Sequence, residues 1–395
     1  MTEWIECTLD KLGEIVGGAT PSTKCEDYYG GSIPWITPKD LSSFKGRYIT
    51  SGERNITEKG LASCSAQMMP KDAVLFTSRA PIGYVAIASQ SVCTNQGFKS
   101  IVVNEKADPL FVYYLLKYNK DAIEAMGSGT TFKEVSGKTM RAVKVRIPLD
   151  VSYQKRIAAV LDSLDTKIEN NERINDNLEQ QAQYYFQELF VDNADPEWTT
   201  GTISDLGVVV GGSTPSKAKP EYYTESGIAW ITPKDLSINK SKFISHGEND
   251  ITELGLKNSS AAIMPEGTVL FSSRAPIGYI AVAAGEVTTN QGFKSIVPKP
   301  EIGTAFVYYF LKHNLPIIEG MASGSTFKEV SGSAMKGVPA VIPDTDTIAR
   351  FNDFCTPIFA QQRILEEQNQ SLTVLRDNLL PKLMSGEIDI SDIQL

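Results

Sequence analysis

Histidine is nearly missing from this 395-residue chain, which holds only His246 and His313. That leaves little room for histidine-based acid–base catalysis, and no HExxH, GxSxG or clustered Cys/His pattern occurs. Cysteine is sparse too. Cys7, Cys25, Cys64, Cys93 and Cys355 are odd in number and widely spaced, which suits reduced thiols in a cytoplasmic protein better than a disulfide framework. No apolar run approaches the roughly 20 residues needed to cross a bilayer. The opening Met1-Thr2-Glu3-Trp4-Ile5-Glu6 carries acid where a signal peptide carries base.

Spare positive charge is also lacking, with 38 Lys+Arg against 47 Asp+Glu and a net charge of −9. At first sight this argues against a nucleic-acid partner. The charge is unevenly spread, however. Residues 1–150 hold 18 basic and 16 acidic side chains, and residues 196–343 hold 12 and 13. Residues 151–195 and 344–395 each hold 4 and 9. Two large segments are thus near neutral and two short ones are acidic. A self-sufficient duplex binder is usually more basic, because neutralising phosphates drives non-specific affinity. If this chain binds DNA, other subunits would supply much of the positive charge.

What dominates the sequence is a duplication. Trp35-Ile36-Thr37-Pro38-Lys39-Asp40-Leu41 returns unchanged from Trp230 to Leu236. Residues 74–102 and 269–297 match at 22 of 29 positions, and residues 128–137 recur at 323–332 with one Thr-to-Ser change. The offset is 194 at Trp4/Trp198 and 195 from Trp35 onward, so one residue separates the copies between Tyr29 and Ile33. A period this long means two whole domains and not a solenoid.

The large segments read as mixed α/β (an α+β class) with irregular, loop-rich sheets. Short strands are expected around 74–76, 84–88 and 100–103, and short helices over 111–118 and 306–313. The acidic segments read as long helices. One seam runs through Ile157, Leu161, Leu164, Ile168, Asn171, Asn175, Leu178, Ala182, Tyr185 and Leu189 in alternating steps of four and three. The other runs through Phe351, Phe354, Ile358, Gln361, Leu365, Gln368, Leu372, Leu375 and Leu379. Polar residues midway along a seam fix register at some cost in stability. The simplest expectation is that the two pair antiparallel as a coiled coil, giving an internal pseudo-twofold repeat with the globular parts at opposite ends. The alternative is that each helix packs only on its own domain. The expected divisions are 1–150, 151–195, 196–345 and 346–395.

The repeated motifs are polar and loop-borne. Ser78-Arg79-Ala80-Pro81-Ile82-Gly83-Tyr84 recurs at 273–279, so Arg79 and Arg274 occupy matching turns after a strand. An arginine fork there could read guanine O6 and N7 or hold a phosphate. The other reading is an arginine tied to a carboxylate to hold its loop. Thr94-Asn95-Gln96-Gly97-Phe98-Lys99 recurs with Asn290, Gln291 and Lys294. These amides suit adenine, or equally suit tying down a turn. Ser22, Lys24 and Lys39, with Ser216, Lys217 and Lys234, suit phosphate contacts. Thr131 and Lys133, with Thr326 and Lys328, flank Phe132 and Phe327 in Gly/Ser/Thr-rich loops, where the Phe could pack on a sugar or base, or simply on the core. Ser136-Gly137-Lys138-Thr139 ends like a phosphate-binding loop, but the glycine required five residues before Gly137 is Phe132.

Taken together, these motifs resemble the specificity subunits of type I restriction-modification systems. The Gly-Gly-x-Thr-Pro-Ser opening, Trp-Ile-Thr-Pro-Lys-Asp-Leu, Ser-Arg-Ala-Pro-Ile-Gly-Tyr, Thr-Asn-Gln-Gly-Phe-Lys and Gly-Ser-x-x-Phe-Lys-Glu-Val-Ser-Gly carry the resemblance. So do Gln154-Lys155-Arg156-Ile157 and residues 379–387. It implies two target-recognition domains that read a bipartite DNA site, with two spacer helices that also bind methyltransferase subunits. It further implies that S-adenosylmethionine sits on the methyltransferase, that ATP-dependent translocase and nuclease work belongs to a restriction subunit, and that this chain is non-catalytic and binds no cofactor or metal. The Asn/Asp-Pro-Pro-aromatic motif of adenine methyltransferases is absent from the sequence. One departure is that many relatives carry two dissimilar recognition domains, whereas these are near-copies. Two rivals are a free-standing bivalent DNA-binding regulator and a glycan-binding or structural tandem repeat.

Overall fold

The structure, a computed structural model, describes residues 2–129, 133–324 and 328–390. The chain folds as two units: one is built from Met1–Asn170 with Asn369–Leu395, the other from Asn171–Gln368.

In the first unit a five-stranded sheet has the order Gly13–Gly17, Lys99–Val103, Val74–Ser78, Ile82–Ala88, Tyr48–Ile49. All its pairs are antiparallel except the last. The second unit repeats that order as Gly207–Gly211, Lys294–Pro298, Val269–Ser273, Ile277–Ala283, Phe243–Ile244. The central strands carry continuous apolar runs because both faces are covered. Val74–Ser78 and Val269–Ser273 are buried along their whole length. Helices Pro109–Tyr118 and Thr304–His313 pack on these sheets and bury Phe111 and Tyr114, and Phe306 and Tyr309. Strands and helices were thus readable from apolar pattern, and the mixed helix-and-sheet, two-domain class is what folds.

The one-residue difference between the copies falls in a bulge. Strand Tyr29–Ile36 is continuous with a register shift between Tyr29 and Ile33. Its counterpart is broken into Tyr223–Thr224 and Ile228–Ile231. A bulge absorbs an extra residue without turning the rest of the strand over.

The paired glycines mark a close backbone approach and not a nucleotide fold. A Cβ on Gly18 would lie 2.1 Å from the Asn95 carbonyl oxygen, and one on Gly212 would lie 2.0 Å from that of Asn290. Only glycine fits there, which pins the Gly-Gly segment against the Thr-Asn-Gln-Gly turn.

Two long helices, Val151–Gln187 and Thr345–Ser385, account for the acidic segments. Each unit contains part of both, so neither helix packs on its own domain alone. In the first unit Asn369 Nδ2 donates to the Ile168 carbonyl at 3.4 Å, and Arg376 meets Asp165 at 2.8 Å. In the second, Asn171 Nδ2 donates to Gln368 Oε1 at 3.3 Å and Gln362 Nε2 to the Asn175 carbonyl at 3.2 Å. Within each unit, numbers rise on one helix as they fall on the other, so the segments run antiparallel.

The seam of the second helix differs from the sequence expectation at alternate steps. Phe351, Ile358 and Leu365 are buried and Leu372 and Leu379 partly so, but between them Cys355 and Gln362 turn inward, not Phe354 and Gln361. Leu375 is 46% exposed, and its neighbour Arg376 faces inward onto Asp165. On the first helix Leu161, Asn171 and Ala182 are buried, and Leu164, Ile168, Asn175 and Leu178 are half-buried. Asp165 is buried beside Leu164. The reason is chemical. The inner face must satisfy an arginine and a carboxylate, so apolar character stops marking it.

The first unit closes on the far end of the chain. Leu383, Met384 and Ile390 are buried in its core, and Tyr153 accepts from the Ile390 N–H at 3.0 Å while donating to Asp389 at 2.9 Å. No helix among the described residues is long and apolar enough to cross a membrane.

Candidate nucleic-acid interface

The repeated motifs, scattered along the sequence, converge on one loop cluster in each unit. The Gly-Gly-x-Thr-Pro segment is held by Ala19 N–H donating to the Thr94 carbonyl (3.0 Å), by Trp35 Nε1–H donating to the Ala19 carbonyl (3.0 Å) and by the Thr20–Gln96 side-chain bond. The matching bonds in the second unit are Ser213 N–H to Thr289 (2.9 Å), Trp230 to Ser213 (3.0 Å) and Thr214–Gln291. The Asn95 N–H donates to the Ile36 carbonyl (3.0 Å) and its Oδ1 accepts from Gly97 N–H (2.8 Å). Asn290 does the same with Ile231 and Gly292. These carbonyls therefore hold their own turns, the tie-down reading of the two amides.

Trp-Ile-Thr-Pro-Lys-Asp-Leu opens a short helix, Pro38–Ser42, through a capping box of Thr37 and Asp40; Thr232 and Asp235 do the same for Pro233–Ile238. Asp40 Oδ1 also accepts from the Glu53 N–H at 2.7 Å. Lys39 meets Glu53 at 2.7 Å and Lys234 meets Glu248 at 2.6 Å, both in exposed pairs that contribute little to stability. Ser22, Lys24, Gln96 and Lys133 are exposed, as are Ser216, Lys217, Gln291 and Lys328. Thr131, Phe132, Thr326 and Phe327 lie outside the described residues. Ser136 and Ser331 cap the short helices Gly137–Ala142 and Gly332–Lys336, which accounts for the Ser-Gly pair without a nucleotide.

Arg79 leaves the strand Val74–Ser78 just before Ala80, whose φ is +49°; Ala275 after Arg274 is at +50°. Positive φ at a residue with a side chain is strained backbone, of the kind that clusters where a side chain must be aimed. Arg79 Nη1 lies 3.6 Å from Glu134 Oε2, and Lys99 Nζ lies 3.6 Å from Glu134 Oε1. Arg274 and Lys294 meet Glu329 in the same way at 3.5 and 3.3 Å. Neither glutamate was singled out in the sequence, although both stand inside the repeated Phe-Lys-Glu-Val motif. A strand-end cation with a repeated acid downstream was the available signal.

Each globular part also sends a buried cation to the helices. In the first unit Arg47 is buried and donates to Thr166 Oγ1 (2.8 Å) and Glu169 (3.2 Å). Beside it Tyr114 donates to Asp165 (2.8 Å), the carboxylate that Arg376 also meets. In the second unit the corresponding residue is Lys242, which bonds Glu179, Gln362 Oε1 (2.6 Å) and Tyr309 Oη (3.2 Å), with its ammonium 4.2 Å from the Phe359 ring centre. Lys312 meets the other Glu179 oxygen at 2.5 Å. Burial alone would raise the Glu179 pKa, but Lys242 and Lys312 outweigh it and hold the carboxyl down to about 2. A depressed carboxylate stabilises the fold above its unfolded pKa, and the gain is lost as pH falls through the folded value. Denaturation midpoints of wild type and Glu179→Gln should therefore differ fully above about pH 4.5 and converge toward about pH 2. A gap that stays constant over that range would show that Glu179 is not the titrating group.

No group of three or more His, Cys, Asp and Glu side chains could hold a metal among the described residues. The arrangement presents cations, amides and hydroxyls on loops set on a rigid sheet. That is equipment for binding a polyanion.

Comparison with known proteins agrees. A family model described as the type I restriction modification DNA specificity domain matches twice, over residues 1–180 and 196–373. The type I restriction enzyme MjaIX specificity subunit of Methanocaldococcus jannaschii is 31% identical over 432 residues, covering 99% of this chain and 95% of that protein. The HindI specificity subunit of Haemophilus influenzae is 24% identical over 372 residues, covering 73% and 80%. The fold is that of the type I S subunit from M. genitalium, with a TM-score of 0.65, 18% identity and coverage of 99% and 97%. With two copies of the family domain spanning nearly its whole length, the chain belongs to the DNA-specificity subunits of type I restriction-modification systems, whose part is sequence recognition and not catalysis.

Proposed function

We propose that each loop cluster reads one half of a bipartite DNA site, and that the chain does so as the scaffold for two methyltransferase subunits. Residues 1–150 and 196–345 are then the readers, and residues 151–195 and 346–395 are the spacers on which the methyltransferases seat. S-adenosylmethionine and the methyl-transfer chemistry reside on those partners. A restriction and translocase subunit completes the complex in the cytoplasm. The observation that carries this reading is the recurrence of one cation- and amide-bearing cluster in both units, down to the Arg–Glu–Lys arrangement.

Because the readers are near-copies, the site should be a largely inverted repeat with unread base pairs between its halves. Helices of 37 and 41 residues extend about 55–60 Å at about 1.5 Å per residue, ample for half-sites about 34–36 Å apart. Sequencing methylated adenines in cells that carry the complete system tests this. Two unrelated half-sites would mean that divergent positions, such as Thr23-Lys24 against Lys217-Ala218, carry the base code and the shared motifs do not.

A further inference from the structure

We propose that Glu134 and Glu329 are internal placeholders for DNA phosphates: each occupies, in the free chain, a two-cation seat that a backbone phosphate takes over on binding. This rests on the DNA-reading role proposed above.

Four observations carry the inference. First, the carboxylate divides its oxygens in the same way in both units, Oε2 to the arginine and Oε1 to the lysine. Two anionic oxygens shared between an arginine and a lysine are what the two non-bridging oxygens of a phosphodiester would present.

Second, the contacts are slack. At 3.3–3.6 Å they exceed the roughly 2.7–2.9 Å of a closed charge-assisted hydrogen bond. The helix-side pairs are closed by comparison, with Arg376–Asp165 at 2.8 Å and Lys312–Glu179 at 2.5 Å. These four cations are held near an anion without being consumed by it.

Third, the seat is open on one side only. The arginine and glutamate side chains are 35–40% exposed, while each lysine is 15% exposed, so an incoming anion meets the arginine first and finds the lysine fixed behind it.

Fourth, the placement is imposed by backbone. Glu134 bridges Arg79 and Ser128, and Val135 N–H donates to the Ser78 carbonyl at 2.9 Å. Glu329 bridges Arg274 and Ser323, with Val330 N–H to the Ser273 carbonyl at 3.0 Å. The glutamate side chain can swing away while the cations stay aimed.

Each seat carries two positive charges and one negative one, so the glutamate lowers the pull on any phosphate at all. Contacts to phosphate carry no sequence information, and weakening them leaves discrimination to the base contacts. The near-neutral charge of both globular segments is then partly a masking of cations that exist.

The test uses the chain assembled with its methyltransferase subunits and two duplexes of equal length, one bearing the mapped site and one scrambled, titrated by fluorescence anisotropy across a salt series. Glu134→Gln should bind both duplexes about tenfold more tightly, because no carboxylate has to be displaced from the seat, with the ratio between matched and scrambled duplex unchanged. Glu329→Gln should do the same independently, which covers the case where one variant alone folds poorly by melting temperature. Unchanged or weaker binding by a variant that melts normally overturns the placeholder assignment. A wild-type complex that fails to distinguish the two duplexes overturns the DNA-reading role itself, a separate outcome.

Discussion

Glu179→Ala should lower the unfolding midpoint of the second unit by about 6–20 °C in scanning calorimetry. Removing one partner of a buried ion pair costs about 3–5 kcal/mol, because the remaining charge is left desolvated. In a body of this size each kcal/mol moves the midpoint by about 2–4 °C. Glu179 is the shared anion of Lys242 and Lys312 and accepts from Tyr309 at 2.8 Å. Without it, the buried Lys242 ammonium loses its bonded carboxylate and keeps the Gln362 and Tyr309 oxygens, the Phe359 and Tyr308 rings and the charge of nearby Glu366. The double replacement Glu179→Leu with Lys242→Met should recover most of the loss, since an apolar pair of similar volume often matches a buried ion pair. A midpoint that moves by less than about 2 °C in the single variant would show that the pair is solvated and incidental.

Arg79→Ala should act on binding and leave stability nearly untouched. Its pair with Glu134 is partly exposed, and such pairs are worth about 0–1 kcal/mol, so the melting temperature should hold within a few degrees. Affinity for duplex should fall about 5- to 150-fold, equivalent to about 1–3 kcal/mol. If Arg79 sits on a phosphate, the loss is equal for matched and scrambled DNA and the salt dependence becomes shallower by about 0.9. Loss confined to one half-site would make Arg79 a base reader instead. A large fall in melting temperature with an unchanged binding profile would make it the loop brace that its glutamate contact also permits. Arg274→Ala gives the same measurement for the second unit.

Much of the architecture was legible because it is local or repeated. The apolar runs at 74–76 and 269–271 fall on the central strands Val74–Ser78 and Val269–Ser273, and a 195-residue repeat of sequence became a repeat of strand order. The helix seam was legible only where it stays apolar. At Gln362 and Arg376 the inward side chain is polar, because it answers groups more than 180 residues away in sequence, the Asn175 carbonyl and Asp165. Arg47 and Lys242 gave no signal at all. Each looks like a surface cation in a loop, and its burial depends on helix residues more than 100 positions later. The loop cluster was legible in its motifs but not in its wiring. Asn95 and Asn290 proved to hold their own turns, and Glu134 and Glu329, which organise the cations, carry a charge that a search for polyanion contacts passes over.

The burial of Leu383, Met384 and Ile390 in the first unit has a consequence for the order in which the protein is made. Synthesis proceeds from the N-terminus, and domains generally fold as units while the chain emerges. The second unit is one continuous stretch, Asn171–Gln368, and has all its parts once residue 368 has been added. The first unit needs Asn369 onward as well, so the domain made first is the last to be closed. Until residue 390 exists, Tyr153 lacks its Asp389 acceptor and the surface that receives Ile390 is open to solvent. For more than 200 residues of elongation the nascent chain must carry that unfinished surface.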